Sequence, residues 1–248
     1  MDIESLILRG DGLATTSQLL TAVSRKQLAG LVKSGMLIRV CHGVYAPNVP
    51  DVSDALDAAQ LRVGRPVVAC MGTAAALYGF DTERTTRIHV LDPGIRMRPS
   101  PKIMVHQRIG APLRRVKGHL ATMPAWTAIE VARALRPARA LATLDAALRV
   151  GACTAAELDA AAREQHGRRG IVKVRELLAY ADGRAESPME SEARLLFIGS
   201  GLPMPELQYS ITDRHGRRWR ADFAWPAHDP VGLIARINGH LAAPRVAG

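Results

Sequence analysis

The chain has 248 residues, 48% hydrophobic, 23% charged and only 4% aromatic, the composition of two or three helix-rich globular domains rather than of one small core. Lys and Arg number 33 against 23 Asp and Glu, a formal net charge of +10, which points first to a phosphate-bearing partner, although an Arg-rich composition alone gives the same excess without marking a site. Cys41, Cys70 and Cys153 lack CxxC spacing, the start MDIESLILRGDG is acidic where a signal peptide is basic, and no 18-residue apolar run occurs. These features argue against a disulfide framework, a zinc site, secretion and membrane spanning, and a reducing cytoplasm is expected.

Two helix starts follow each other closely near the N-terminus. Thr15-Thr16-Ser17-Gln18 and Ser24-Arg25-Lys26-Gln27 are capping-box sequences, in which a hydroxyl and an amide satisfy free backbone groups of the first turn. The first helix is expected to run through Leu19, Leu20 and Ala22. The second buries Leu28, Leu31 and Val32 at helical spacing and stops at Gly35, which is free to take a left-handed cap. Residues 36–40 and 43–46 flank a Cys41-His42 turn and read as a β-hairpin that Pro47 and Pro50 close. Residues 1–50 thus predict a winged helix-turn-helix.

Residues 51–181 predict an α+β middle domain with a helical second half. A helix over 52–63 comes first, then a strand over 66–69, a helix over 73–78 and strands over 88–91 and 103–106. Helices come next near 124–135 and 138–150, Thr154 to Glu157 forms another capping box, and Ile171, Val172, Val174, Leu177 and Leu178 mark one more amphipathic helix. Residues 182–248 read as a third, α/β domain: a helix over 188–200, a Gly/Pro loop over 201–205, strands over 207–211 and 217–224 around an Asp-Arg-His-Gly turn, and a third apolar run over 231–237. The whole is α+β.

Structure and charge coincide in the first domain. From Gly12 to Pro50 there is no acid, while Arg25, Lys26, Lys33 and Arg39 are basic. On the second helix Arg25, Lys26, Ala29, Gly30 and Lys33 fall opposite the apolar stripe, a basic face with a small-residue centre suited to a major groove. Arg39 and His42 on the hairpin suit phosphate or minor groove. The alternative is a winged helix used only for protein contacts, its basic face merely solvated.

The segments GLATTSQLL and SRKQLAGLVKSGMLIRVCHGVYAP resemble the N-terminal winged-helix domain of AbiEi-family antitoxins, and MGTAAALYGF, IHV and ATMPAWTAIEVAR resemble the remainder of actinobacterial members. The resemblance covers about residues 10–180. It implies a type IV antitoxin that represses its own operon by binding double-stranded DNA at its promoter. It also implies a nucleotidyltransferase-like toxin encoded beside it, opposed without a stable complex. No cofactor is implied. Inverted repeats pair with two-fold symmetry, which suggests a homodimer, although some winged-helix repressors bind such repeats as cooperating monomers.

The run ESPMESEARLLFIGSGLPMPELQYSITDRHGRRWRADFAWP is similar to a Vsr-like endonuclease domain of the PD-(D/E)XK class. That resemblance would place Glu190, or Glu186, near Asp222 to hold Mg²⁺, which activates water and offsets phosphate charge. It fails at the third strand, where members read Val-Glu-Tyr-Asp-Gly-His and this chain reads Ala235-Arg236-Ile237-Asn238-Gly239-His240, with no acid after Asp229. The chain also ends before elements that would cover the sheet, so the domain reads as degenerate or truncated. Glu190 and Asp222 are then vestigial, no residue is assigned as catalytic and no metal is expected. An active Mg²⁺-dependent endonuclease guided by the winged helix stays as the alternative function.

Other candidates are weaker. His89 and His106 sit in apolar strand contexts typical of satisfied core or edge histidines, and His215, His228 and His240 lack metal spacing. Ser187, Ser191 and Ser200 lie in no GxSxG elbow, and neither GxxxxGK[ST] nor GxGxxG occurs.

Overall fold

A computed structural model describes residues 2–80, 82–83, 87–94, 101–107 and 110–226, and the backbone of Ile234 and Ala235. The architecture is mixed α+β and divides into two compact units, residues 1–127 and 128–248.

In the first unit, α1 (Ile3–Arg9) is capped by Asp2, whose carboxylate accepts the Ser5 N–H. After β1 (Ala14–Thr15), both expected capping boxes form. Thr15 caps α2 (Thr16–Leu19) with Gln18 reaching back, and Ser24 caps α3 (Arg25–Lys33) with Gln27 reaching back. The first of these helices is shorter than the sequence predicts, because after Leu19 the chain tightens. Thr21, Ala22 and Val23 donate to Gln18 and Leu19 carbonyls, and a turn replaces the helix at Leu20 and Ala22.

The hairpin is β2 (Ile38–Cys41) and β3 (Val44–Ala46), with Gly43 at φ +80° in its turn and a bulge between Arg39 and Cys41. Strand order is β1-β3-β2, all antiparallel. One face of this small sheet packs Ala14 and Tyr45 with Ile7, Leu19, Leu28 and Leu37. The other packs Val40, Cys41, Val44 and Ala46 on Leu56, Ala58 and Ala59 of α4 (Val52–Val63). At about 25 cal/mol per Å² of apolar surface, burial of this second face fastens the hairpin to α4.

The remainder of the unit is a five-stranded mixed sheet built from β4 (Val68–Ala69), β5 (Ile88–Leu91), β6 (Ile103–His106), β7 (Leu113–Val116) and β8 (His119–Thr122), in the order β6-β5-β4-β8-β7. The pairs β4–β8 and β5–β6 are parallel, and β4–β5 and β7–β8 antiparallel. Helix α5 (Met71–Tyr78) packs on it and α6 (Pro124–Ala134) leaves it.

The second unit contains α7 (Pro137–Arg149), α8 (Ala155–Glu164), α9 (Ile171–Leu178) and α10 (Pro188–Gly199). An antiparallel sheet ordered β11-β10-β9 comes after them, from β9 (Glu206–Thr212), β10 (Arg218–Ala224) and β11 (Ile234–Ala235). Phe197 of α10 meets Phe223 and Trp225 edge-on over this sheet. Of the third apolar run, β11 pairs with Phe223 and Ala224, whereas Arg236, Asn238 and His240, like His228, lie outside the described residues. Among the described residues no helix is long and apolar enough to cross a membrane.

Candidate nucleic-acid interface

Ser24 fixes where α3 starts and Leu28, at 6% exposure, fixes which side faces inward. The opposite side is set by the helical period: Arg25, Lys26, Ala29, Gly30 and Lys33 are all exposed. The hairpin tip is tied back to the start of α2, since the Thr16 N–H and hydroxyl both donate to the Gly43 carbonyl, at 2.8 and 3.3 Å. This tie fixes the turn that carries His42 to the start of α2.

Between α3 and the hairpin runs a groove of about 630 Å³, walled by Arg25, Lys33, Arg39 and His42 over an apolar floor of Leu28, Val32 and Tyr45. Lys26 is exposed on α3 but does not line it. Arg39 Nη2 lies 2.9 Å from His42 Nδ1. A guanidinium has only donors, so Nδ1 accepts and the ring keeps its N–H on Nε2, directed away from Arg39. The Lys102 ammonium, just before β6, donates to the Arg39 carbonyl at 2.6 Å and holds the backbone of that strand. Sequence reasoning did not find Thr16, Tyr45 or Lys102. Thr16 is visible only as a capping residue, and Lys102 reaches Arg39 across 63 residues.

Glu190, at 4% exposure on the first turn of α10, is anchored by three donors: the Glu186 N–H, the Ser187 hydroxyl and the Gln208 amide, each at 2.9 Å. Gln208 reaches it from a left-handed position in β9, φ +54°. Glu186 pairs instead with Arg220 at 2.8 Å, and Asp222 lies half-buried on β10. These three donors take most of the acceptor positions of the Glu190 carboxylate and hold it in place, with one position left on Oε1. Among the described residues no group of three His, Cys, Asp or Glu is placed to hold a metal.

The remaining candidates have structural partners. His89 Nδ1 and His106 Nε2 are 2.9 Å apart with nearly parallel rings, and burial pushes both imidazoles below the usual range. Ser187 caps α10, Ser191 and Ser200 bond carbonyls one turn back, and His215 accepts from Arg214. None of the three cysteines forms a disulfide.

Fold and surface together define a mixed α+β chain that carries two short helices, the second with a basic exposed side, and a hairpin near its N-terminal end. The model of the AbiEi antitoxin transcriptional regulators matches residues 1–48, and that of the AbiEi antitoxin C-terminal domain matches residues 67–180, between them more than half of the chain. The chain belongs to the AbiEi antitoxin family. Two uncharacterized proteins of Mycobacterium tuberculosis, MT2308 of strain CDC 1551 and Rv2248 of strain H37Rv, are each 62% identical to it over 204 residues, covering 82% of this chain and 75% of theirs. The crystal structure of the RV2827C protein from the same species aligns with 84% of this chain and 88% of its own, at 14% identity and a TM-score of 0.46. Residues 181–248 lie outside both family matches.

Proposed function

We propose that the protein is a DNA-binding transcriptional repressor and type IV antitoxin, with residues 1–50 as a winged helix-turn-helix that reads its own promoter. Residues 51–181 form the antitoxin domain and residues 182–248 a nuclease-like domain without activity. The observation that carries the reading is the convergence of Arg25, Lys33, Arg39 and His42 on one exposed groove beside α3. One-signed side chains there suit phosphates, while the small Ala29 and Gly30 let the helix approach base edges. Membership of an antitoxin family supports a nucleotidyltransferase-like toxin as the opposed partner, encoded in the adjacent reading frame.

A gel-shift titration on the upstream promoter tests this. Arg25→Ala with Lys33→Ala is expected to weaken binding roughly tenfold or more and to lower the log-affinity against log-salt slope by about 1.8, the release of two phosphates' counterions. Unchanged affinity and slope in the double variant would remove α3 as the reader. The nuclease reading is disfavoured by the sequence of the third apolar run, where Arg236 and Asn238 stand at positions that such nucleases fill with acids. Metal-dependent nicking of plasmid that disappears in Glu190→Ala or Asp222→Ala would reinstate it.

A further inference from the structure

The hairpin joining β9 and β10 has features that neither the promoter reading nor the packing of its own unit uses. Its five-residue tip is held by one carboxylate. Asp213 Oδ1 accepts the N–H groups of His215 and Arg217, both at 2.9 Å, and Oδ2 accepts the Trp219 indole N–H at 3.3 Å. Gly216, at φ +76°, closes the turn onto the Asp213 carbonyl. Asp213 is the only acid from Thr212 to Ala221, a stretch that carries Arg214, Arg217, Arg218 and Arg220.

These arginines do not serve the fold equally. Arg220 is engaged by Glu186, and among the described residues Arg214 reaches only its neighbour His215. The side chains of Arg217 and Arg218 make neither an ion pair nor a hydrogen bond among the described residues, and both are exposed. Trp219 lies on the same strand face as Ala221 and Phe223 but one step beyond the core they form, and it is 48% exposed. Trp126 and Trp225 are 4% and 5% exposed. Because its N–H is spent on Asp213, what the indole still offers is its ring face.

An acidic peptide would satisfy the guanidinium groups and leave the indole unused. A duplex would satisfy them too, but its base faces are stacked away. An unpaired strand supplies both halves at once, phosphates for the arginines and an open base face for the ring. We infer that the β9–β10 hairpin is a binding site for single-stranded DNA, with Arg217 and Arg218 on the phosphates and Trp219 stacked on a base. This site is independent of the promoter groove.

The test uses the full chain and a 12-nucleotide oligothymidylate. Tryptophan emission, dominated in its quenching by the exposed Trp219, is expected to fall on titration, and Trp219→Phe to abolish most of that change. In anisotropy measurements with labelled oligonucleotide, Trp219→Ala should weaken binding roughly five- to a hundredfold, whereas Trp219→Phe, which keeps a stacking face, retains most of the affinity. Arg217→Ala with Arg218→Ala should lower the salt slope by about 1.4. Arg25→Ala with Lys33→Ala should leave oligothymidylate binding intact, which separates this site from the promoter reader. Absence of oligothymidylate binding, unchanged binding in the hairpin variants, or a Trp219-dependent preference for duplex of the same length would each overturn the inference.

Discussion

Asp145 and Arg194 are 0% and 1% exposed, and their charges meet at 2.5 Å between α7 and α10. Asp145 also accepts the Asp182 N–H at 2.7 Å, while Arg194 Nε is buried without a partner among the described residues. Burial pushes the Asp145 carboxyl up, and the Arg194 guanidinium pulls it back. The two partners are therefore not equivalent to lose. With Arg194→Met the remaining carboxyl can take a proton, but with Asp145→Leu the remaining guanidinium cannot shed one. Denaturant unfolding of the two single variants is expected to show a loss of about 3–5 kcal/mol for Asp145→Leu and a smaller one for Arg194→Met, with the double variant recovering most of it. Equal losses would show that the charge is not what the pocket responds to. An acid inside the apolar run ALATLDAALRV is visible in the sequence as a misfit, but its partner 49 residues later is not.

Among the helices, Gly170 separates two kinds of glycine requirement. It precedes α9 at φ +84°, and a Cβ there would lie 2.6 Å from the Arg133 carbonyl oxygen of α6. Gly35, after α3, has φ +78° with open space around it. Gly35→Ala is expected to cost about 1 kcal/mol of backbone strain alone, and Gly170→Ala more than about 2 kcal/mol, because α9 must also retreat. Similar melting temperatures for the two variants would contradict this. The same contrast explains what is legible in the sequence. Capping boxes at Thr15, Ser24 and Thr154 are contiguous chemistry, so the first turns of α2, α3 and α8 can be read directly. The bounds of α4, β5, β6, β9 and β10 also lie within a residue or two of expectation. Helix α1, strand β1 and the β7–β8 hairpin escape a sequence reading. That hairpin turns on Lys117 and Gly118, both left-handed, a two-residue turn signal hidden between strands whose Arg114 and Arg115 dilute the β pattern. The first helix stops short of Ala22 because a four-residue helix is ended by i→i+3 bonds as readily as by a breaker.

At the scale of the whole molecule, acid tolerance is tied to the β5–β6 edge. His89 and His106 share one hydrogen bond, and burial disfavours the charged form of both, with Arg87 acting in the same direction on His89. Unfolding frees both rings to protonate near the usual 6.5. Below that pH the unfolded chain binds more protons than the folded one, so the stability these groups confer is full above about pH 6.5 and is lost as pH falls through their lowered folded values. Melting temperatures between about pH 7.5 and 5 should decline, and His106→Gln should flatten the decline. A profile identical in the variant would assign acid sensitivity elsewhere. The groove residues Arg25, Lys33, Arg39 and His42 are legible because charge segregation survives in one dimension. The residues that hold them, Thr16 and Lys102, are not, because they act through backbone carbonyls that leave no mark on residue type.

The order of the five-stranded sheet also sets a timetable for synthesis. The central strand β4 finds β5 about 20 residues later, but its parallel neighbour β8 only after about 50, Val68 opposite Leu120. At translation speeds of about 5–20 residues per second, the interval is roughly 3–10 s. Throughout it, one edge of β4 is unpaired on the ribosome, while β1, β2 and β3 can already be closed once Ala46 has emerged. The N-terminal sheet can thus close before the body it rests on has been synthesised. Slow codons between residues 70 and 120 lengthen the time in which that open edge can meet another nascent chain.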